Sequence, residues 1–294
     1  MKKLLYICLL LVFAAIVAAC SNNHTNDLSY DTSTDSLPSI VSIGPAITEV
    51  LVELGAASQL IAVDTFSAMI PGVPAGLPQF DMMAIDAEAI MVLGADKVFA
   101  TEMIRFGEDP LTLVAAAGTQ VTYVSVSNTL DEIMTTLEFI GQELGRAEEG
   151  YALAQNMREE IEQVRSIAAT IATPRTVYFE IGSAPSLFTF GEGTFLNEIL
   201  ELTGAINIFA ADGMWIAAAD EQILARDPYV ILTNDIWVED SVGDISARPG
   251  WSAINAVANG RIFTIDADSS SRDNHNVLQA MWEIARAVYP EYFN

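Results

Sequence analysis

Most metal, redox and anion chemistry in proteins runs through histidine, cysteine and free basic side chains, and this chain of 294 residues is poor in all three. Its histidines are His24 and His275 and its cysteines Cys8 and Cys20. A transition-metal cage needs three or four His, Cys or carboxylate ligands converging at short spacing, so no metal site and no resident cofactor is expected. Gly-x-Ser-x-Gly elbows, Walker loops and Cys-x-x-Cys pairs are all missing, which removes the usual hydrolase, NTPase and redox machinery. Gly191-Glu192-Gly193 precedes a predicted helix, but Leu196 stands where a dinucleotide fingerprint places its third glycine, so the segment reads as a turn. His275 reads as a surface histidine near a helix start, and Met69, Met82, Met83, Met91 and Met103 read as packing filler. The chemistry that remains is recognition. Phe66, Phe80, Met103 and Phe106 in the first half and Trp215 and Trp237 in the second offer broad apolar area for a bulky ligand. Arg105 and Arg272 offer forked donors for a carboxylate or phosphate.

Charge narrows the partners. Thirteen Lys and Arg stand against 39 Asp and Glu, a formal charge of −26, and beyond residue 3 the only lysine is Lys97. Nucleic acid, which is held by clustered cations, is excluded. Lys2 and Lys3 precede an apolar run from Leu4 to Val17, shorter than the ~20 residues a helix needs to span a bilayer. That run ends in Val17-Ala18-Ala19-Cys20, which resembles the lipobox of bacterial lipoproteins. The resemblance implies a signal peptide over 1–19 and a lipid on Cys20. Residues 20–36 are polar and read as a tether, with a reach of at most about 55 Å.

Beyond residue 37 short β-rich runs alternate with amphipathic ones. Strands are predicted at 39–44, 60–63, 97–101 and 121–126, and helices from Pro45, at 87–93, 110–117 and 130–144. A second series follows, with strands at 176–181, 229–233 and 262–265 and helices at 194–202, 221–225 and 277–288. Alternation at this spacing predicts parallel sheets covered by helices. Between the series, Ala154, Met157, Ile161, Val164 and Ala168 recur at steps of three and four, the stripe of one long helix. The fold expected is therefore α/β, with two Rossmann-like lobes at 37–147 and 172–294 and a linking helix at 148–171. In open α/β sheets ligands sit beyond the carboxyl ends of the strands. The loops after Gly44, Val63, Thr101, Gly182, Thr233 and Ile265 are thus expected to line the ligand site, the first of them carrying Pro45.

The stretch SIVSIGPAITEVLVELGAASQLIAVD, together with IDAEAIMVLGADKVFAT, FGEGTFLNEILELTGAINIF, AADEQILARDPYVILTN and WSAINAVANGRIFTID, resembles the iron-siderophore and cobalamin family of ABC-transporter substrate-binding lipoproteins. The segments cover most of residues 39–290 in order. The resemblance implies a ligand cleft between the two lobes, and a monomer, lipid-anchored on the extracytoplasmic face of a bacterial membrane, that is not an enzyme and delivers an iron chelate, most directly a siderophore, to a permease dimer and its ATPase. Cobalamin or haem are alternative ligands, and an extracytoplasmic enzyme or structural lipoprotein is the alternative class. It implies further that Trp215, in GMWIAAADEQ, faces ligand, and that Glu88 and Glu221 dock the permease. The family's Pro-Arg before the last helix is here Ser271-Arg272, a departure that weakens the transfer to Arg272.

Overall fold

The computed structural model describes residues 37–105 and 107–293. The signal peptide, tether and Cys20 readings lie outside the described residues, as does Phe106.

The first lobe runs β1 (Ile40–Ile43), α1 (Pro45–Glu53), β2 (Leu60–Asp64), β3 (Gln79–Phe80), α2 (Ala87–Leu93), β4 (Lys97–Thr101), α3 (Thr112–Ala116), β5 (Gln120–Val124) and α4 (Leu130–Glu143). The long α5 (Ala147–Ala168) follows, and the second lobe runs β6 (Thr176–Glu180), β7 (Phe188–Phe190), α6 (Phe195–Leu202), β8 (Ile206–Asn207), β9 (Trp215–Ala217), α7 (Asp220–Arg226), β10 (Val230–Thr233), α8 (Ser241–Ala247), α9 (Asn255–Ala258), β11 (Ile262–Thr264), α10 (Ala267–Ser271) and α11 (Val277–Val288). Sequence signals account for the helix starts: Pro45 occupies the first turn of α1, Asp86 and Thr194 cap α2 and α6, and Thr129 with Glu132 forms a capping box on α4.

The first sheet has the order β3-β2-β1-β4-β5 and the second β11-β10-β6-β8, with all pairings parallel. The lobes are topologically equivalent: β6 corresponds to β1, β8 to β2, β10 to β4 and β11 to β5. Helix α2 leads into β4 as α7 leads into β10, and the buried Ile90 and Ile223 sit at matching positions in these two helices.

Strand periodicity divides the core. Val41, Ile43, Val98 and Ala100 pack on the outer face of the first sheet, and Tyr178 and Ile231 on that of the second. Ile40 and Phe99 from one sheet, and Val177, Phe179, Val230 and Leu232 from the other, face a common core that also buries Ala154, Met157, Ile161 and Val164 of α5. The linking helix therefore packs against both lobes instead of crossing solvent between them.

Helices α4 and α5 approach so closely that side chains are excluded where they meet. A Cβ on Gly150 would lie 2.8 Å from the Leu137 carbonyl oxygen and 3.0 Å from the Gly141 Cα. Both neighbours are backbone and cannot rotate away. Alanine gains about 1 kcal/mol in helix propensity over glycine, whereas overpacking costs about 1–3 kcal/mol. Gly150→Ala is expected to lower the melting temperature by a few degrees, while alanine at the exposed Gly76, whose Cβ would meet nothing, tests only the cost of its positive φ. Calorimetric melts of the two variants check the difference.

Candidate functional site

Parallel strands bring all their carboxyl ends to one edge of a sheet, and the two sheets present those edges to each other. Gly44, Thr101 and Val124–Asn128 from the first lobe face Ile181, Asn234 and Asp235 from the second across a cleft of about 550 Å³. The first turn of α6 (Phe195, Leu196), Ala267, Asp268 and residues 270–273 add to the wall. Most of it is apolar: Pro45, Ile47, Met82, Met103 and Val126 on one side, Phe195, Trp215, Ile236 and Trp237 on the other. Trp215 is 50% exposed and Trp237 88%, far more than packed core aromatics such as Phe99 and Trp251, each at 0%.

Buried carboxylates shape the loops that carry this wall. Asp64, at the end of β2, accepts N–H bonds from Gly44 at 2.8 Å, Phe66 at 2.9 Å and Ser67 at 3.1 Å. Gly44 has φ 131°, a region that disfavours any Cβ, and this turn aims Pro45 and the start of α1 at the cleft. In the second lobe Asp235 accepts from Ser183 N at 2.9 Å and Trp237 N at 2.8 Å. Burial works against the Asp235 carboxylate, but these hydrogen bonds prevail and hold its pKa below the usual range. Behind it Glu180, also buried, is bridged by both terminal nitrogens of Arg248 at 2.6 and 2.7 Å.

A third group of contacts joins the lobes at the floor of the cleft. Residues 272–276 of the second lobe lie against α1 of the first. Arg272, Asn274 and Asn276 all donate to Glu49, the last at 3.1 Å, and Asn274 also donates to the Ala46 carbonyl at 3.2 Å. Ser127 N donates to Asp273 at 2.6 Å, and, outside the cleft lining and beside α5, Leu130 N donates to Glu198 at 2.7 Å. Burial raises the pKa of Asp273 and of Glu198, only partly offset by these bonds. His275 is drawn into the same contact, 4.0 Å from Glu53, and burial lowers its pKa. The surface position expected for it is therefore corrected, because the segment carrying it docks on the other lobe.

Of the residues singled out from sequence, Pro45, Met103, Trp215, Trp237 and Arg272 share the cleft wall. Phe80 packs in the outer core of the first lobe, and Phe66 is exposed away from the lining. Arg105 lies outside the lining, 3.6 Å from Asp109 and 3.8 Å from Glu102, with its guanidinium over the Tyr123 ring. Glu88 and Glu221 are exposed, each in the first turn of its helix, and neither pairs with another described residue. Among the methionines, Met82 and Met91 pack against the first-lobe core, whereas Met69 and Met83 are exposed on the long β2–α2 connection. The expected lining loop after Val63 reaches the wall through Met82, while its Phe66 and Phe80 do not. Residues 125–128, beyond β5, do contribute and were not anticipated, although the strand-end rule applies to β5 as it does to β1 and β4.

Residues 40–269 match the family model described as periplasmic binding protein. An uncharacterized ABC transporter substrate-binding lipoprotein of Bacillus subtilis, YvrC, is 28% identical over 257 residues, covering 86% of this chain and 81% of that protein. A vitamin B12-binding protein of Vibrio cholerae is 26% identical over 248 residues, covering 83% of this chain and 87% of that protein. A solved structure, a possible iron-binding periplasmic solute-binding protein of Staphylococcus epidermidis, superposes with a TM-score of 0.77 at 26% identity, covering 86% of this chain and all of that one.

The buried carboxyl of Asp273 yields a pH prediction. Its folded pKa is raised above the unfolded value, so its contribution to stability is fully present below the unfolded pKa and is lost as pH rises through the folded one. Asparagine keeps an acceptor for the Ser127 N–H and carries no charge. Asp273→Asn is expected to melt higher than the wild type at pH 7, with the difference vanishing below about pH 4; thermal melts across pH 3–8 check this.

Proposed function

This chain belongs to the periplasmic binding protein family, and on that premise we propose that it captures a bulky organic metal chelate, of ferric-siderophore or corrinoid type, and presents it to the permease of an ABC importer. It is a substrate-binding protein and not an enzyme. The observation that carries the ligand class is the wall: about 550 Å³ of mostly apolar cleft with two largely exposed tryptophans. A cleft of this size suits a drug-sized or larger ligand, and exposed indoles supply flat apolar area for one. The B12-binding relative favours the corrinoid, and the possible iron-binding one favours the ferric chelate. For haem, whose iron takes an axial side chain, the described lining offers Met82 and Met103 but neither histidine nor tyrosine. The lipobox-like VAAC supports attachment of a monomeric head to the outer face of the membrane through Cys20, with residues 20–36 as tether.

Two experiments test this reading. Tryptophan fluorescence and calorimetry, with a neutral corrinoid and a neutral ferric trihydroxamate as probes, are expected to register binding of at least one. Trp215→Ala should weaken that binding by about 2 kcal/mol, some thirtyfold, if the indole stacks on the ligand. Unchanged affinity removes Trp215 from the site, and silence from every chelate defeats the ligand class.

Docking is the second part. Glu88 and Glu221 are the second residues of equivalent helices, α2 and α7, and both carboxylates are exposed. Matched charges on two equivalent lobes suit a partner built of two like subunits, where rim charges chiefly set orientation and encounter rate. Glu88→Ala combined with Glu221→Ala should leave solution affinity unchanged while abolishing uptake and stimulation of the transporter's ATPase in reconstituted vesicles. Full transport by the double variant defeats the docking assignment.

A further inference from the structure

Arg272 is the one cationic side chain in the described cleft wall. A lone guanidinium in an apolar cleft ordinarily recruits a carboxylate or phosphate of the ligand through its forked donors. Here the protein occupies both terminal nitrogens: one pairs with Glu49, reaching from α1 of the opposite lobe, and the other with Asp268 at 2.6 Å, one helical turn away. Glu49 is held in place by Asn274 and Asn276 as well, and its side chain is 10% exposed. The other charged residues of the wall are Asp235, Asp268 and Asp273. One cation against three carboxylates leaves the wall two charges negative before Glu49 is counted.

We propose that Glu49 is a specificity-determining residue that sets the charge class of the ligand. By neutralising Arg272 from across the cleft it leaves the site without a free cation, and so restricts it to chelates carrying no net negative charge. This rests on the chelate-binding reading above and sharpens it. A ligand carboxylate would have to take Arg272 from Glu49, leaving a largely buried carboxylate without its charged partner, and would do so in the field of three aspartates. A neutral chelate meets neither obstacle. It needs only the apolar wall and hydrogen bonds from its amide or hydroxamate groups.

Matched pairs of probes isolate the charge: a ferric trihydroxamate against the same chelate bearing one added carboxylate, and a corrinoid against its monocarboxylic acid. Titrated into the wild-type protein, the carboxylate member of a pair is expected to bind at least about tenfold more weakly than its neutral partner. Glu49→Gln, and to a smaller degree the exposed Asp268→Asn, should close that gap by strengthening the carboxylate probe relative to its neutral partner. Adding Arg272→Gln to Glu49→Gln should reopen it, a result that a merely structural role for Glu49 does not produce. Equal wild-type affinity within the pairs overturns the inference and leaves the chelate reading standing, whereas failure of all four probes overturns the chelate reading itself. The wild-type comparison requires no substitution, and Asp268 is a surface residue, so misfolding of the Glu49 variant does not shield the inference. A gap unchanged by Asp268→Asn and Glu49→Gln alike also overturns it.

Discussion

Ala154, Met157, Ile161 and Val164 on one face of α5 are buried in an apolar core that takes in strand residues of both sheets. Two parallel sheets linked only by loops would swing freely about their connection. Here relative rotation of the lobes would shear close-packed side chains along the length of a 22-residue helix. The back of the cleft is thus fixed by packing. At its floor the Glu49 cluster and the Ser127–Asp273 bond hold the lobes a second time, and the Leu130–Glu198 bond joins them again beside α5. Adaptation to a ligand then falls to side chains and loops at the strand ends, where Met103, Ile236 and Trp237 are exposed.

Carboxylates do much of the organising in this acidic chain. Asp64, Asp235, Glu180 and Glu49 are each largely withdrawn from water, and each accepts several hydrogen bonds from loop N–H groups, amides or arginine. With 39 acids against 13 bases, cations are the scarce component. Arg158, Arg165, Arg175, Arg226, Arg248 and Arg272 are all committed to ion pairs with the protein's own carboxylates. A protein of this composition that bound an anionic solute would have to spare a cation for it, and the described cleft spares none.

The two sheets and the linking helix were legible in sequence because each leaves a recurrent pattern: short, nearly continuous apolar runs in strands buried on both faces, and steps of three and four along α5. The edge strands β3, β7, β8 and β9 were not, since two or three residues carry too little periodicity to stand out from loop. Trp215 was noticed for its context, but its place on β9, paired antiparallel to β7, depends on Phe190 opposite. The lobe-to-lobe contact was least visible. SSSRDNHN reads as a polar loop, and nothing local says that Asn274 is buried or that Arg272 is engaged, because their partner Glu49 stands 223 residues from Arg272. Phe80 misled for the opposite reason, as an aromatic beside a predicted cleft loop whose ring is needed by the first lobe's own core.

The equivalence of the lobes is uneven, and the unevenness follows from packing. Helices α2 and α7 lie over sheets of matching order and are anchored by Ile90 and Ile223, so the sheets dictate where their first turns emerge. The strand-end loops have no such template. On one side they carry Met82 and Met103, beside Pro45 at the start of α1, and on the other Ile236 and Trp237, beside Trp215 on the short β9. An outer face held to near-equivalence by its own sheets suits a partner of two like subunits, while an inner face released from that equivalence can be shaped to a ligand with no symmetry at all. On the proposed assignments, ligand and transporter contacts can therefore change independently, because the cleft residues stand on or beside strand-end loops while Glu88 and Glu221 stand on helices that the core holds fast.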